Sequence, residues 1–387
     1  MNSRALFSLF LLLLIGSPST GTAQESSPSD LKATIDRLGN LDYPTRMNAA
    51  RTLRRVAAEQ AVPLLINAVR ANSDEYVRFR ALVVLSGFND SGTPQLMRGL
   101  LKDRNDRLRE VAYSWFAQHP DPALTTTMLG ALQTEQAEFV RPALVRALAA
   151  LTSDSQVQRA LLSEAGRGLD FFRSAVLEAL GDAGAKYAFD TIAPMAVTDG
   201  PLQDDAVLAL GRIGDPRASA VLGKIVQPSR EVVPALHAAR CLLGEDCPGH
   251  VAALSEIVKR RDVPPEDLRN AISALTALAT RGTQAATALG ALLLAPAGAP
   301  DTVRDQVALG VATVALKNPD YALRVLAALP DDRRGEMLTL MQDGFAMLED
   351  DFAEEQFFAA VRGSYWKADE GSPTRALTAT LIEKLEF

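Results

Sequence analysis

The apolar residues of this chain recur at helical spacing, and Gln203–Arg217 shows the pattern most completely. Its sequence, QDDAVLALGRIGDPR, places Ala206, Val207, Ala209 and Leu210 on one face of a helix. Two glycines then loosen the end of that helix, and an Asp-Pro pair suits the entry to a second one. The stretch therefore predicts a helix, a stop and the start of the next helix.

The same pattern returns about every 32 residues, which makes it a repeat. One position, the anchor, is held by Arg46, Arg78, Arg109, Arg141, Arg173, Gln203, Leu236 and Leu268, with 30 to 33 residues between neighbours. Three residues later come Ala49, Ala81, Ala112, Leu144, Val176, Ala206, Ala239 and Ala271. Seven residues after the anchors come Leu53, Leu85, Phe116, Leu148, Leu180, Leu210, Leu243 and Leu275. These two columns share a helix face, so the alanines would let a neighbouring helix approach while the larger residues fill the space between repeats.

A second apolar-periodic segment follows each anchor helix after a few turn formers. Examples are Pro63–Val69, Pro94–Leu101, Pro216–Val226 and Gly249–Val258. Proline near the start of a helix is where its missing N–H costs least. Nothing shows the alternating pattern of strands. A two-helix unit of this period predicts an all-α fold, an α-solenoid of stacked helix–turn–helix repeats.

The repeated phrase V-R-x-x-A…L-G-x-I-G-D-P-x-A resembles the HEAT repeat, in particular its phycobilisome-lyase-like subfamily. Gln203–Ala218 carries the second half of the phrase, and Val77–Ala81 and Phe172–Asp182 carry the first. The likeness extends from Leu41 to Leu278, with a degenerate ninth unit around Val303–Gly310. The resemblance implies that the second helices line the concave side, so that a partner groove would lie along them. It is specific for fold and says little about function, because such repeats serve many tasks.

The first 23 residues form a segment of their own. Arg4 supplies a positive charge, Ala5–Ile15 is apolar apart from one serine, and small residues follow up to Ala23. This order is typical of a secretory signal peptide, and the apolar run is about half of the roughly 20 residues that a spanning helix needs. We expect cleavage near Ala23, export to the periplasm or the medium, a flexible lead over residues 24–30 and no membrane insertion of the mature chain.

Residues 331–387 depart from the composition of the predicted repeat region at 31–330. Asp331–Glu355 is acidic with an apolar helical face, and five aromatic residues lie between 352 and 366. Pro373–Leu385 adds a final amphipathic helix. We predict a divergent helical C-terminal cap, since a solenoid must cover its last open face. The alternative is that this acidic, aromatic segment docks a partner.

The arginine anchors allow two interpretations. Acidic residues stand three positions before several of them, namely Glu75, Asp106, Glu138, Asp170 and, in the ninth unit, Asp301. The first interpretation is structural: a carboxylate there caps the helix and pairs with the neighbouring arginine. The second is a candidate anion-binding stripe formed by Arg46, Arg78, Arg109, Arg141 and Arg173.

Cys241 and Cys247 are the two cysteines of the chain. In an exported protein, two cysteines this close predict a disulfide, with two free thiols as the alternative. His237 and His250 flank the pair in the order H-x3-C-x5-C-x2-H, which raises a four-ligand zinc site. The spacing matches no common structural zinc module, so we predict neither a metal nor another cofactor.

Catalytic arrangements are scarce in the sequence. The chain has three histidines and no G-x-S-x-G motif, which leaves few bases for a nucleophile. Adjacent carboxylates such as Asp204 and Asp205 point to different sides of a helix and rarely act as an acid–base pair. We therefore predict that the chain is not an enzyme.

The formal net charge of −7 argues against nucleic acid or an anionic membrane as the main partner. We predict an exported, non-catalytic scaffold that presents an extended surface to a protein or peptide. The resemblance implies one alternative, a bilin-lyase-like enzyme or a chaperone for a tetrapyrrole-bearing protein, although the export signal counts against cytoplasmic lyase chemistry. The other alternative is a structural component of envelope assembly.

Overall fold

The computed structural model describes residues 27–260, 262–295, 301–385 and 387, so the predicted signal peptide and most of the lead lie outside the described residues. Within these ranges the chain forms helices and no strands, which confirms the predicted all-α fold. The α-helices are α1 (Pro28–Asp36), α2 (Tyr43–Arg54), α3 (Ala58–Ala71), α4 (Glu75–Ser86), α5 (Thr93–Leu100), α6 (Asp106–Gln118), α7 (Thr125–Thr134), α8 (Val140–Ala149), α9 (Ser155–Gly166), α10 (Asp170–Asp182), α11 (Phe189–Val197), α12 (Gln203–Ile213), α13 (Arg217–Leu222), α14 (Val232–Leu242), α15 (Cys247–Lys259), α16 (Pro265–Arg281), α17 (Ala285–Leu294), α18 (Asp301–Lys317), α19 (Pro319–Ala328), α20 (Asp331–Leu348), α21 (Asp351–Lys367) and α22 (Pro373–Lys384). Short 3-10 turns at Arg37–Gly39, Pro122–Leu124 and Lys186–Ala188 lead into three of them.

The helices alternate as the repeat predicts. The first helices of units 1 to 8 are α2, α4, α6, α8, α10, α12, α14 and α16, the second helices are α3, α5, α7, α9, α11, α13, α15 and α17, and α18 with α19 forms the ninth unit. From α6 onward each first helix packs on the first helix of the next unit, and each second helix also packs on the first helix of the next unit. This is a two-layer α-solenoid, as the sequence pattern predicts.

Side-chain caps start the first helices of units 1 to 3. The carboxylates of Asp42 and Asp74 and the amide oxygen of Asn105 accept hydrogen bonds from backbone N–H groups in the first turns of α2, α4 and α6. At the other end of such a helix, Gly214 adopts a φ of 67° and ends α12. Glycine tolerates this left-handed conformation at no steric cost, which is why the Gly-Asp-Pro sequence makes a stop and a restart.

The two apolar columns form the core. Every residue of the alanine-rich column is buried, and so is every residue of the larger column except Leu243, which is half-buried at the end of α14. The apolar core continues without a break through residue 331, because Met337, Leu340 and Phe345 join the cluster that begins around Ala238. The boundary between residues 330 and 331 therefore stays a prediction about repeat composition.

The first helices form the inner, concave layer of the solenoid. A Cβ atom added to Gly211 of α12 would lie 2.5 Å from the Cα atom of Ala239 in α14, and one added to Gly181 of α10 would lie 3.2 Å from that of Ala209 in α12. First helices that are three and four units apart also touch, α10 with α16 and with α18, and such contacts form on the inside of a curved stack. The expectation that the second helices line the concave side was therefore wrong, because the small residues that permit close approach lie on the first helices.

The C-terminal helices extend the stack and then turn back. Helix α20 packs on α18, while α21 packs on α18, on α19 and on α4 of the second unit. The apolar and aromatic face predicted for this segment is largely buried within the chain: Met337, Leu340, Met341, Phe345, Phe352, Phe357 and Phe358 are each at most 6% exposed. The segment thus packs on the ninth unit and also joins that unit to the second.

Candidate functional surface

Contacts between first helices cross the concave side of the solenoid. The Lys317 ammonium of α18 lies 2.9 Å from a carboxylate oxygen of Glu178 and 3.2 Å from one of Asp182, both in α10. The guanidinium of Arg281, at the end of α16, donates to the backbone carbonyls of Gly181 and Asp182. Units 5, 8 and 9 are therefore tied together across the inside of the curve.

A buried charge cluster joins the first units to α21. Glu355 has no exposed surface and accepts a 2.7 Å hydrogen bond from Nε of Arg54 in α2 and a 3.1 Å bond from Arg362 in its own helix. Arg80 of α4 pairs with Asp351 at the start of α21. Buried charges persist only when they are paired and hydrogen-bonded, so these contacts hold α21 in one position against α2 and α4.

Acidic side chains crowd the same junction. Burial raises the pKa of Glu354 in α21 to about 8, and the neighbouring Asp351 and Asp350 carboxylates add to the effect. Burial likewise raises the pKa of Glu110 in α6 to about 7, again with a contribution from Asp350. Each of the two groups keeps its proton to a much higher pH than an ordinary glutamate does. The net charge of the junction therefore changes with pH in the neutral range.

These contacts fill the inside of the curve with the chain's own side chains. A cavity of about 210 Å³ between α10, α12, α16 and α18 is lined by residues that include Glu178, Arg212 and Lys317. The concave side of units 5 to 9 is thus braced rather than open. A partner groove of the kind that the family resemblance implied is not the surface that this fold offers most readily.

The first three arginine anchors all have hydrogen-bond partners within the chain. The Arg46 guanidinium donates to the carbonyl of Asn40 at 2.7 Å. Arg78 donates to the carbonyl of Val69 and to the Asp103 carboxylate, which is 2.6 Å away. In the third unit, Arg109 contacts both carboxylate oxygens of Glu135, at 2.8 and 2.7 Å.

The fourth and fifth anchors behave similarly. Nη2 of Arg141 lies 3.4 Å from Glu164, and its guanidinium carbon lies 3.7 Å from the centroid of the Phe172 ring. Arg173 donates to the carbonyl of Ala165 at 3.0 Å and pairs with Asp170 at 2.9 Å. All five guanidinium groups thus have partners within the chain. This favours the structural interpretation over the anion-binding stripe, although the carboxylates come mostly from the next loop along the edge.

The cysteine and histidine side chains meet between α14 and α15. The sulfur atoms of Cys241 and Cys247 lie within bonding distance, and their Cα atoms are 4.1 Å apart. The Nδ1 atoms of His237 and His250 are 2.9 Å apart, and burial, which both rings share, lowers the pKa of each. Across the described ranges, no three His, Cys, Asp or Glu side chains are grouped so that they could hold a metal ion.

Exposed apolar side chains concentrate on one edge of the solenoid. We call it the loop edge: it is formed by the loops that lead from the second helix of one unit to the first helix of the next, with the residues that flank them. Ten large apolar side chains are exposed among the described residues, and eight of them lie on this edge: Leu41, Tyr43, Phe139, Leu169, Phe171, Val197, Val226 and Leu294. The other two, Met347 and Trp366, lie in α20 and α21.

The first helices run parallel, which puts these loops side by side. Gly181 near the end of α10 faces Ala209 of α12, and Gly211 near the end of α12 faces Ala239 of α14, so the C-terminal halves of successive first helices meet. The repeated core columns carry no information about the loop edge, so they did not predict it. The available signal was the presence of Tyr43, Phe139 and Phe171 two or three residues before an anchor, where a solvent-facing residue would suffice.

A cavity of about 580 Å³ opens on the loop edge between units 4 and 5. Its walls come from the end of α7, the start of α8, the end of α9 and the start of α10, and they include Arg141, Arg167, Leu169 and Phe171. We call it the unit 4–5 pocket. It combines exposed apolar side chains with charged ones, which is the composition of many recognition sites.

Comparisons with known proteins agree with the repeat. A family model for HEAT repeats matches residues 31–114. No curated protein matches the chain. The comparisons leave the phycobilisome-lyase-like subfamily unsupported.

Similar solved structures are helical and distant in sequence. YibA of E. coli shares 15% identity with a TM-score of 0.42, over 56% of this chain and 82% of its own. Yeast importin-beta (Kap95p) shares 12% identity with a TM-score of 0.40, over 92% of this chain and 57% of its own. Kap121p bound to RanGTP shares 13% identity with a TM-score of 0.39, over 92% of this chain and 45% of its own. Within the described ranges, no helix has both the length and the apolarity to cross a membrane.

Proposed function

We propose, from the premise that residues 31–114 are HEAT repeats, that the chain is an exported, non-catalytic scaffold that binds a protein partner through its loop edge. The observation that carries the proposal is the concentration of eight exposed apolar side chains on that edge. Leu169 and Phe171 line one cavity on that edge, and exposed apolar side chains that are grouped in this way often mark an interaction site. The acidic net charge of −7 favours a protein over nucleic acid as the partner.

The contacts that cross the concave side favour the loop edge as the binding surface. Lys317 and Arg281 bridge across to α10, and α21 occupies the inner side of α4. A partner that entered there would have to displace these contacts, and the buried Arg54–Glu355 pair that holds α21 in place is costly to break. The loop edge presents its apolar side chains without any such rearrangement.

Partner capture with matched variants tests the proposed surface. Mature protein beginning at Gln24 is cross-linked in an envelope extract of its source cells, beside the double variant Phe139→Ser/Phe171→Ser. The control is Met347→Ser/Trp366→Ser, which removes the two exposed apolar side chains that lie elsewhere. We expect the edge variant to lose a cross-linked protein that the wild type and the control both retain. Equal capture by all three proteins would overturn the choice of the loop edge.

Export is tested separately, because it rests on residues 1–23 alone. A fusion of residues 1–30 to alkaline phosphatase, which is active only after export, should be active, whereas a fusion without residues 2–23 should be inactive. N-terminal sequencing of the exported protein should begin at Gln24. A mature protein that retains Arg4, or an inactive full fusion, would contradict export by a cleaved signal peptide.

A further inference from the structure

The unit 4–5 pocket has an apolar wall that faces solvent. Leu169 is 71% exposed and Phe171 is 68% exposed. Leu132 is buried behind them and also lines the pocket. Leaving several large apolar side chains in water is unfavourable, so a ligand that covers them gains binding free energy.

The apolar residues replace helix caps at this place. In units 1 to 3 the N-cap residue is Asp42, Asp74 or Asn105, and its side chain accepts a hydrogen bond from the helix. The first helices of units 4 to 8 all lack a side-chain cap, and in units 4 and 5 the N-cap residues are Phe139 and Leu169. An apolar residue at the N-cap stabilises a helix less than Asp or Asn does. Units 4 and 5 thus present exposed apolar side chains where units 1 to 3 have polar caps.

The pocket holds two arginine side chains beside one buried glutamate. The carboxylate of Glu164 is 9% exposed; it accepts from Nη2 of Arg167 at 2.5 Å and lies 3.4 Å from Nη2 of Arg141. The Glu164 carboxylate therefore pairs with two guanidinium groups. Nε of Arg141 is buried without a hydrogen-bond partner. Arg141 is held in place by the Phe172 ring beneath it, at 3.7 Å. The two guanidinium groups therefore carry more positive charge than Glu164 balances, and a second carboxylate would pair with the remainder.

A negatively charged side chain also lines the pocket. Glu138 is an exposed lining residue, in the turn before α8. A ligand that carries both a carboxylate and an N–H group or a positive charge would match both the arginines and Glu138. The C-terminal residue of a polypeptide has this arrangement, because its carboxylate, its side chain and its backbone N–H all belong to one residue.

On the basis of the proposed scaffold function, we propose that the unit 4–5 pocket binds the C-terminal residue of the partner protein. The terminal carboxylate lies between Arg141 and Arg167, and an apolar last side chain packs against Leu169 and Phe171. The cavity volume of about 580 Å³ accommodates more than that residue, so the residue before it also contributes to affinity.

Peptides with and without a free C-terminal carboxylate test the proposal. The probes are two fluorescein-labelled pentapeptides that end in phenylalanine and differ only in that one carries a terminal carboxylate and the other a terminal amide. Binding to mature full-length protein is followed by fluorescence anisotropy at low and at physiological salt. We expect the free acid to bind at least tenfold more tightly than the amide and to weaken as salt rises. Equal affinity for the two peptides would overturn the proposal.

A matched pair of arginine variants locates the carboxylate. Arg167 is 68% exposed, so Arg167→Gln should fold normally and should weaken the free-acid peptide about tenfold while leaving the amide unchanged. The control is Arg104→Gln, since Arg104 lies on the same edge in unit 3, is 82% exposed and pairs with Glu75. An equal loss of affinity in both variants, or in neither, would contradict the proposed position of the carboxylate.

A further variant tests the apolar wall of the pocket. Phe171→Ser should weaken both peptides at least fivefold, whereas Val226→Ser, at an 84% exposed position of the same edge, should change neither. The outcome separates this inference from the proposed function. If peptides do not bind while capture of the whole partner still depends on Phe139 and Phe171, the C-terminal ligand is wrong and the scaffold surface stands.

Discussion

The side chain of Glu355 holds α21 against the first unit of the solenoid. Its carboxylate is fully buried between Arg54 and Arg362, and one nitrogen of each guanidinium, Nη1, is buried without a partner. The cluster has one negative charge for two positive ones, so the carboxylate is the group on which both arginines depend. Removing one member of such a cluster leaves uncompensated buried charge.

The variant Glu355→Gln tests this dependence. It keeps the shape and removes the charge, and we expect it to lower the free energy of unfolding by about 3 kcal/mol, which denaturant titration followed by circular dichroism measures. Asp262→Asn is the control, because Asp262 forms an exposed pair with Arg260 and its loss should leave the titration unchanged. A Glu355→Gln protein as stable as the wild type would show that the cluster adds nothing to stability.

At this scale the sequence predicted the core residues better than the charged contacts. The columns headed by Ala49 and Leu53 were predicted because a repeat displays each position eight times. Arg54 and Glu355 are separated by 301 residues and each occurs outside those columns, so no pattern links them. The exposed Phe139 and Phe171 were overlooked for the same reason: they belong to the loops, where the repeat varies.

At the scale of the helices, close packing of the inner layer depends on small residues. Gly211 in α12 faces Ala239 in α14, and a Cβ atom at position 211 would lie 2.8 Å from the Cβ atom of Ala239. The sequence marked this position as part of a turn signal, whereas the structure shows that it also permits helix contact. The distinction matters because helix ends tolerate substitution better than helix contacts do.

Glycine-to-alanine variants separate these two roles. Gly211→Ala should destabilise the protein by about 1 to 3 kcal/mol, since the added methyl group overlaps α14 and the layer must shift. Gly130→Ala, at an exposed position of α7 with nothing within 4 Å of the added atom, should stabilise it by about 0.5 to 1 kcal/mol. Thermal unfolding checks both signs. A neutral Gly211→Ala variant would refute the tight contact.

The loop between α14 and α15 carries a second prediction at this scale. Cys241 and Cys247 are predicted to be bonded in the exported protein, and closing so short a loop contributes about 2 kcal/mol in the chain-entropy model. Protein purified from the exported fraction and denatured without reductant should take up no alkylating label, as mass spectrometry would show. Two labelled cysteines would exclude the disulfide. Protein treated with reductant first should take up two labels, which is the positive control.

At the scale of the whole molecule, the junction between α21 and the first units makes stability depend on pH. Folding raises the pKa of Glu354 to about 8 and that of Glu110 to about 7, from an ordinary value of 4.5. A raised pKa of an acid means that the folded state holds the proton more tightly than the unfolded state does. The corresponding stability is fully present below pH 4.5 and is lost as pH rises through about 7 and about 8.

We therefore expect the free energy of unfolding to fall as the pH rises from about 4.5 to about 8 and to level off above that. The slope should be smaller in Glu354→Gln, which mimics the protonated side chain and removes the larger of the two shifts. Denaturant titrations at several pH values measure both slopes. Parallel slopes for the variant and the wild type would contradict the assignment of this dependence to Glu354, which faces Asp350, Asp351, Arg80 and Arg54.

The overall curvature was the part of the fold that the sequence left open. Repeat length and helix pairing follow from local periodicity, so the solenoid was predicted correctly. Whether the array closes on itself depends on small rotations between units that add up over nine copies, and no short segment encodes that sum. The contacts of Lys317 with Glu178 and Asp182 show that the array curves far enough to join unit 9 to unit 5.

The position of α21 against α4 also orders events during synthesis. Arg54 and Arg80 leave the ribosome some 270 to 300 residues before their partners Asp351 and Glu355 do. Contacts this distant in sequence form late and slowly, because a long chain must be ordered before they can be made. The newborn protein is consequently an open array with solvated arginines until its final helices arrive, and completing the chain is what converts the array into a closed molecule.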